Sequence, residues 1–277
     1  METVWPVLCS TGAFTRESFL PDHRAILRVG PSLEVDGLEL LFYAPWYAEV
    51  ERVAEDLLAS GLRFPVMHSE KSIGPALGSA DNEERARALE KLEKNCRLGK
   101  QLDIQVLILH LWGLPGSDEH LERNLEMLSD CINVAADAGL ALAVETIPCA
   151  QSDPLTNVRR ALKQDERALI ALDTEFLTLH NQLEQALAAD WLWQGGRVRH
   201  VHIKDYDGQM VDANRYRRYL HPGEGNIDFP AFFRGLAERD YQGRVSLEAS
   251  VVQPDGVVDL PKLRASLAHL RELIART

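Results

Sequence analysis

Six residues of the types that bind metals or protons each stand at the end of an apolar run. They are His68 in FPVMH, His110 in VLILH, Glu145 in LALAVE, Asp173 in LIALD, His202 in VRHVHIKD and Glu248 in VSLE. Carboxylates gathered in one buried place repel unless a cation or protons neutralise them. Glu145, Asp173, His202 and Glu248 would supply three carboxylates and one imidazole. That oxygen-rich set suits one divalent ion, Mn²⁺ or Mg²⁺ first, with Co²⁺ or Zn²⁺ as alternatives. Such an ion can chelate the carbonyl and adjacent hydroxyl of a sugar and stabilise the enediolate left when a proton departs from the neighbouring carbon. A carboxylate beside the sugar then serves as general base, and two on opposite faces could remove and return the proton.

These residues need elements that bring them together. An apolar run bounded by turn residues reads as a buried strand. The runs predict strands near 4–9, 38–43, 64–68, 105–110, 140–145, 168–173, 197–203 and 244–248, alternating with amphipathic helical stretches. Eight such units are what a closed (β/α)₈ TIM barrel requires, and there reactive side chains gather at the C-terminal ends of the strands. Side-chain parity agrees. Glu145 alternates with Ala143 and Ala141, Asp173 with Ala171 and Leu169, Glu248 with Ser246, and His200, His202 and Lys204 share one face. The acids and histidines are therefore expected to point inward, with His200 one layer deeper as a packed residue. Helical faces are read at Leu89, Leu92 and Cys96 after Asp81. A second runs through Leu121, Leu125, Leu128, Ile132 and Ala135, and a third through Leu260, Leu263, Leu267, Leu270 and Ile274. Asp153, Asp228 and Asp259 are expected N-caps. The loops 69–80, 111–118 and 204–227 are long enough to form substrate walls or lids.

The 277 residues fit one α/β domain spanning 1–277, since a barrel takes roughly 250 residues. The formal net charge of −12 opposes a nucleic-acid partner, whose affinity comes from neutralising phosphates. It says little about a small sugar. Cys9, Cys96, Cys131 and Cys149 are widely spaced and read as free thiols of a reducing compartment. No signal peptide and no membrane span are read, so a cytoplasmic chain with no membrane partner is the expectation. A homo-oligomer is compatible with the sequence.

With VETIP around Glu145, LDT around Asp173, HVHIKD around His202, HPGEGNIDF at 221–229 and YQGRVSLE ending at Glu248, the chain resembles the xylose-isomerase-like TIM-barrel superfamily. That group contains sugar isomerases and epimerases together with endonuclease IV. The resemblance implies one metal held by Glu145, Asp173, His202 and Glu248. It also implies that the two glutamates form the acid/base pair and that His68 lies near the substrate. Lys204, His110 and Trp112 are further candidates for substrate binding; Trp112 would serve as an apolar wall for a sugar ring or pack beneath a lid. Arg217, clustered with Arg215 and Arg218 after the seventh strand, could bind a phosphate or carboxylate. The expected reaction is isomerisation or epimerisation of a sugar, ketose or inosose by proton transfer through a metal-bound enediolate.

Two departures bear on substrate. Phe176 stands where family members usually carry a histidine, and Gly208 where epimerases often carry an arginine. The first contact is lost or is supplied by another residue such as His180. The nuclease's Asp-x-His pair falls on Arg217 and Tyr219, which opposes a three-zinc centre. A dehydratase of an inosose or keto-sugar, an endonuclease IV-like phosphodiesterase, and a non-catalytic sugar-binding barrel are the alternatives.

Overall fold

Each of the eight apolar runs forms a strand: β1 (Val7–Ser10), β2 (Gly37–Leu41), β3 (Val66–His68), β4 (Val106–Leu109), β5 (Ala141–Glu145), β6 (Leu169–Asp173), β7 (Val198–Ile203) and β8 (Arg244–Leu247). The computed structural model describes residues 5–15, 22–113, 118–213 and 215–277. The strands run in the order β1 to β8 and close into a barrel, with parallel pairing. Nearly every strand residue is buried. That is why the runs are continuous in Val, Leu and Ile rather than alternating with exposed polar residues.

The expected strand limits shift at several ends. β1 starts at Val7 rather than Val4, which lies outside the described residues. Pro6 has no N–H to give the ladder, although its carbonyl accepts from Val245 N at 3.1 Å. β4 stops at Leu109 and β8 at Leu247, so His110 and Glu248 each stand one residue beyond the ladder. β2 ends at Leu41, two residues before the expected limit.

Internal contacts group the chain into two units, Met1–Leu38 with Leu172–Thr277, and Glu39–Ala171, the boundaries falling inside β2 and β6. In the second of these, the helix Asn82–Gln101 begins where Asp81 accepts from Glu83 N at 2.8 Å. Its buried residues are Ala88, Leu92, Asn95, Cys96, Leu98 and Gly99, and Leu89 is only half-buried. The stripe Leu121, Leu125, Leu128, Ile132 and Ala135 is buried throughout. It is carried by two helices, Leu121–Glu126 and Leu128–Asp137, which meet at Met127. Asp153 caps the helix Pro154–Gln164 by accepting from Thr156 N at 2.8 Å.

In the first unit, Asp228 caps the helix Phe229–Glu238 and Asp259 caps Leu260–Ala275, accepting from Ala231 N at 2.8 Å and Lys262 N at 3.0 Å. Leu263, Leu267, Leu270 and Ile274 are buried, and Leu260 is half-buried at the helix start. Trp5 packs on Phe233 and Tyr241 with ring centroids 5.9 and 6.0 Å apart, and its indole N–H donates to the Tyr241 carbonyl at 2.8 Å. Burying aromatic area of this kind contributes about 1.5–3 kcal/mol per side chain. The four cysteines are free thiols. No described helix is long and apolar enough to cross a membrane.

Candidate functional site

Within residues 39–171 three strand-end groups meet. His68 closes β3, His110 follows β4, and Glu145 closes β5. Glu145 Oε2 lies 2.6 Å from His110 Nε2 and 3.2 Å from His68 Nε2, and the two imidazoles meet edge to face at 4.5 Å. His68 Nδ1 donates to the Ser69 carbonyl at 2.7 Å. With the proton on Nδ1, His68 turns Nε2 toward the carboxylate as the ring nitrogen able to ligate a cation. Burial pushes His110 down to about 4, against the pull of Glu145, so that its ring is neutral at pH 7. The three side chains offer ligand atoms within 4.8 Å of one another and could hold a metal ion.

The surrounding loops are fixed to main chain. Gly74 packs so closely against the loop after β4 that a Cβ there would stand 1.9 Å from the His110 carbonyl oxygen. Trp112 is fully buried and donates its indole N–H to the Pro148 carbonyl at 3.1 Å. An apolar wall for a sugar ring needs an exposed ring face, and Trp112 keeps none. Asp118 accepts from the N–H groups of Ala150, Gln151 and Ser152 at 2.7–2.9 Å and from the Asn157 amide at 3.1 Å. Burial alone would raise its carboxyl, but those donors outweigh burial and hold it below the usual range. This tie anchors the loop that follows Glu145.

Within residues 172–277 a second set converges. Asp173 ends β6 and also caps the short helix Thr174–Leu179, its Oδ1 accepting from Phe176 N at 3.0 Å. Its other oxygen, Oδ2, lies 2.6 Å from Lys204 Nζ and 3.9 Å from His202 Nδ1. The cap and the site thus use different oxygens of one carboxylate. Glu248 Oε2 is 3.4 Å from the same imidazole nitrogen and accepts from Lys204 Nζ at 2.6 Å. His200 lies one layer below, its ring 5.0 Å from that of His202. β7 and β8 pair in parallel with His202 opposite Ser246, which sets the height of these groups. Asp173, His202 and Glu248 offer ligand atoms within 4.8 Å of one another. Two hard oxygens and an imidazole, gathered and buried, are a donor set that fits a divalent ion.

Arg217 serves the protein's own groups. It is ion-paired to the buried Glu175, hydrogen-bonds the carbonyls of Arg218 and Met210, and stacks on Tyr219 at 4.7 Å. Arg218 is paired with Asp207 at 2.6 Å. These guanidinium groups tie the loop 204–227 down, so the expected phosphate or carboxylate would have to displace existing partners. Two important residues escaped sequence reasoning. Glu175 is buried in the first helical turn after Asp173 and also lies 3.9 Å from Lys204. Asp205 accepts from the N–H groups of Tyr206, Gly223, Gly225 and Ile227 at 2.8–3.1 Å, which organises the GEG turn. The only signal for Asp205 was its position in the H-x-x-D step.

A profile described as "Xylose isomerase-like TIM barrel" matches residues 30–273. The chain belongs to that family. Among its relatives is an L-ribulose 3-epimerase of Methylomonas sp. (strain DH-1), 26% identical over 252 residues, which cover 86% of this chain and 80% of that one. A 3-dehydro-D-guloside 4-epimerase of Escherichia coli (strain K12) is 26% identical over 276 residues, covering 94% of this chain and 96% of the relative. A D-allulose 3-epimerase of Methylomonas sp., solved in complex with D-allulose, superposes with a TM-score of 0.74 at 19% identity, over 97% of this chain and 96% of that chain. The family's barrel is thus the fold seen here, and these relatives are sugar epimerases.

Proposed function

We propose that this chain is a divalent-metal-dependent isomerase or epimerase of a keto-sugar. The observation that carries the reading is the convergence of Asp173, His202 and Glu248 at the ends of β6, β7 and β8. The sugar epimerases among its relatives support the substrate class. Glu145, at the end of the strand next to β6 in the barrel order, is proposed to complete the metal shell. A divalent ion held by these residues would supply Lewis-acid polarisation of a sugar carbonyl.

The chain's own groups do the remaining work. Glu145 and Glu248 are the proposed proton carriers, one removing the proton beside the carbonyl and the other returning it. His110, neutral at pH 7, would steady Glu145 by donating from Nε2. The sugar is proposed to bind as a neutral molecule, because Arg217 and Arg218 are already paired to carboxylates of the protein.

The test is solvent exchange. The protein, loaded with Mn²⁺, is incubated in D₂O with a panel of ketoses, keto-glycosides and inososes, and products are read by NMR and mass spectrometry. Deuterium at the carbon beside the carbonyl, with carbon skeleton and water content unchanged, is expected. Loss of one water from the product would replace the reading with a dehydratase. No exchange with any substrate and any of the four candidate ions would end it.

A further inference from the structure

Lys204 stands among the carboxylates proposed to hold the ion. It is 4% exposed and follows β7 directly. Its backbone is clamped: Lys204 N donates to Thr174 Oγ1 at 3.0 Å, and that hydroxyl donates to the Lys204 carbonyl at 2.6 Å. Its ammonium is 2.6 Å from Asp173 Oδ2 and 2.6 Å from Glu248 Oε2. Those two oxygens are the ones that face His202 Nδ1. They are therefore the oxygens a divalent ion would take. An ammonium and a divalent cation cannot both sit against the same pair of oxygens, because the two positive charges would be in contact inside a buried site.

We propose that Lys204 is a built-in competitor for the metal site, exchanging places with the divalent ion on Asp173 and Glu248, and that Glu175 receives the ammonium when the ion takes those oxygens. Glu175 Oε2 is already 3.9 Å from Lys204 Nζ. The face of Phe176 lies 4.5 Å from the same ammonium, an apolar surface with a favourable quadrupole along which the flexible stem can swing. Arg217, ion-paired to Glu175, keeps that carboxylate in place to receive a second cation. The exchange keeps the ammonium beside a carboxylate in both arrangements, and the competition sets the metal affinity below what the donors alone would give.

The inference rests on the reading that Asp173, His202 and Glu248 hold an ion. Its test is Mn²⁺ binding by calorimetry to the full chain after chelator treatment, for wild type, Lys204→Met, Lys204→Gln, Glu175→Gln and the Lys204→Met/Glu175→Gln double variant. Folding of each is checked by circular dichroism. Removing the competitor is expected to tighten Mn²⁺ binding by about tenfold or more, within the usual range for coupled sites. It should also lower the melting temperature of the chelator-treated protein and enlarge the rise that Mn²⁺ produces. Glu175→Gln is expected to weaken binding in wild type and to do so less in the Lys204→Met background.

Equal or weaker Mn²⁺ binding by whichever Lys204 variant folds would overturn the proposal while leaving the metal site intact. The same loss from Glu175→Gln in both backgrounds would show that Glu175 acts only through its charge, and would overturn the exchange. No Mn²⁺ binding by wild type or by the Lys204 variants would remove the metal-site reading itself, and this inference with it.

Discussion

Asp205 and Gly225 determine each other. The Gly225 N–H donates to Asp205 Oδ2 at 2.9 Å, and a Cβ at residue 225 would stand 2.5 Å from Oδ1 of the same carboxylate. One carboxylate collects four backbone donors from the loop 204–227 only because residue 225 has no side chain. Gly223, at φ 90°, supplies the left-handed turn that aims its own N–H inward.

Gly225→Ala is therefore expected to lower stability by about 2 kcal/mol, the scale of disturbing hydrogen bonds to a buried charged group. Urea denaturation measures it. A midpoint equal to that of wild type would show that the loop is held by something other than Asp205.

Gly74 makes the corresponding demand beside the other set of residues. A Cβ there would meet the carbonyl oxygens of His110 at 1.9 Å and Trp112 at 3.2 Å, both main-chain atoms that cannot rotate away. Gly74→Ala should destabilise by about 3 kcal/mol, the upper part of the usual range for overpacking. An unchanged thermal melt would contradict the close approach.

Glu145→Gln and Glu248→Gln keep shape and remove the charge that carries the proton. Each is expected to slow deuterium exchange into substrate by about 10²–10⁴-fold with the circular dichroism spectrum retained. Full exchange in either variant would take that residue out of the acid/base pair.

His221 gives a pH signature of stability. Burial, reinforced by Lys262, lowers it from 6.5 to about 4. Between those values the unfolded chain binds the proton and the folded chain does not. The stability due to the neutral ring is thus fully present above about pH 6.5 and is lost as pH falls toward about 4, a loss on the order of 3 kcal/mol at roughly 1.4 kcal/mol per unit. His110 titrates with the same sign. Chemical denaturation of His221→Gln across this range should show a flatter pH dependence than wild type. Identical slopes would mean that His221 is not buried as a neutral ring.

The barrel was legible because its signals are local. A strand buried on both faces must be apolar along its whole length, so VLIL and LALAV are readable without knowing their neighbours. Helix starts were legible for the same reason: Asp153, Asp228 and Asp259 each bond an N–H three residues on. Strand limits were less so, because Pro6 and the partner strand decide where a ladder begins and stops. Leu89 was misplaced because helical spacing alone allowed either it or Ala88 to face inward, and packing chose Ala88.

The sequence by itself determined which residues could do chemistry and at which strand ends they stand, since residue type and alternation along a strand are properties of neighbouring positions. It could not decide who pairs with whom. Lys204 meets Glu248 across 44 positions and Arg217 meets Glu175 across 42. Read from sequence, Lys204 and Arg217 were candidates for binding substrate, Glu248 was a candidate metal ligand, and Glu175 carried no reading. Only the folded chain, which excludes water from these charges and obliges each to find a partner, turned Arg217 into a tie for its own loop and set Lys204 on two of the proposed metal's oxygens.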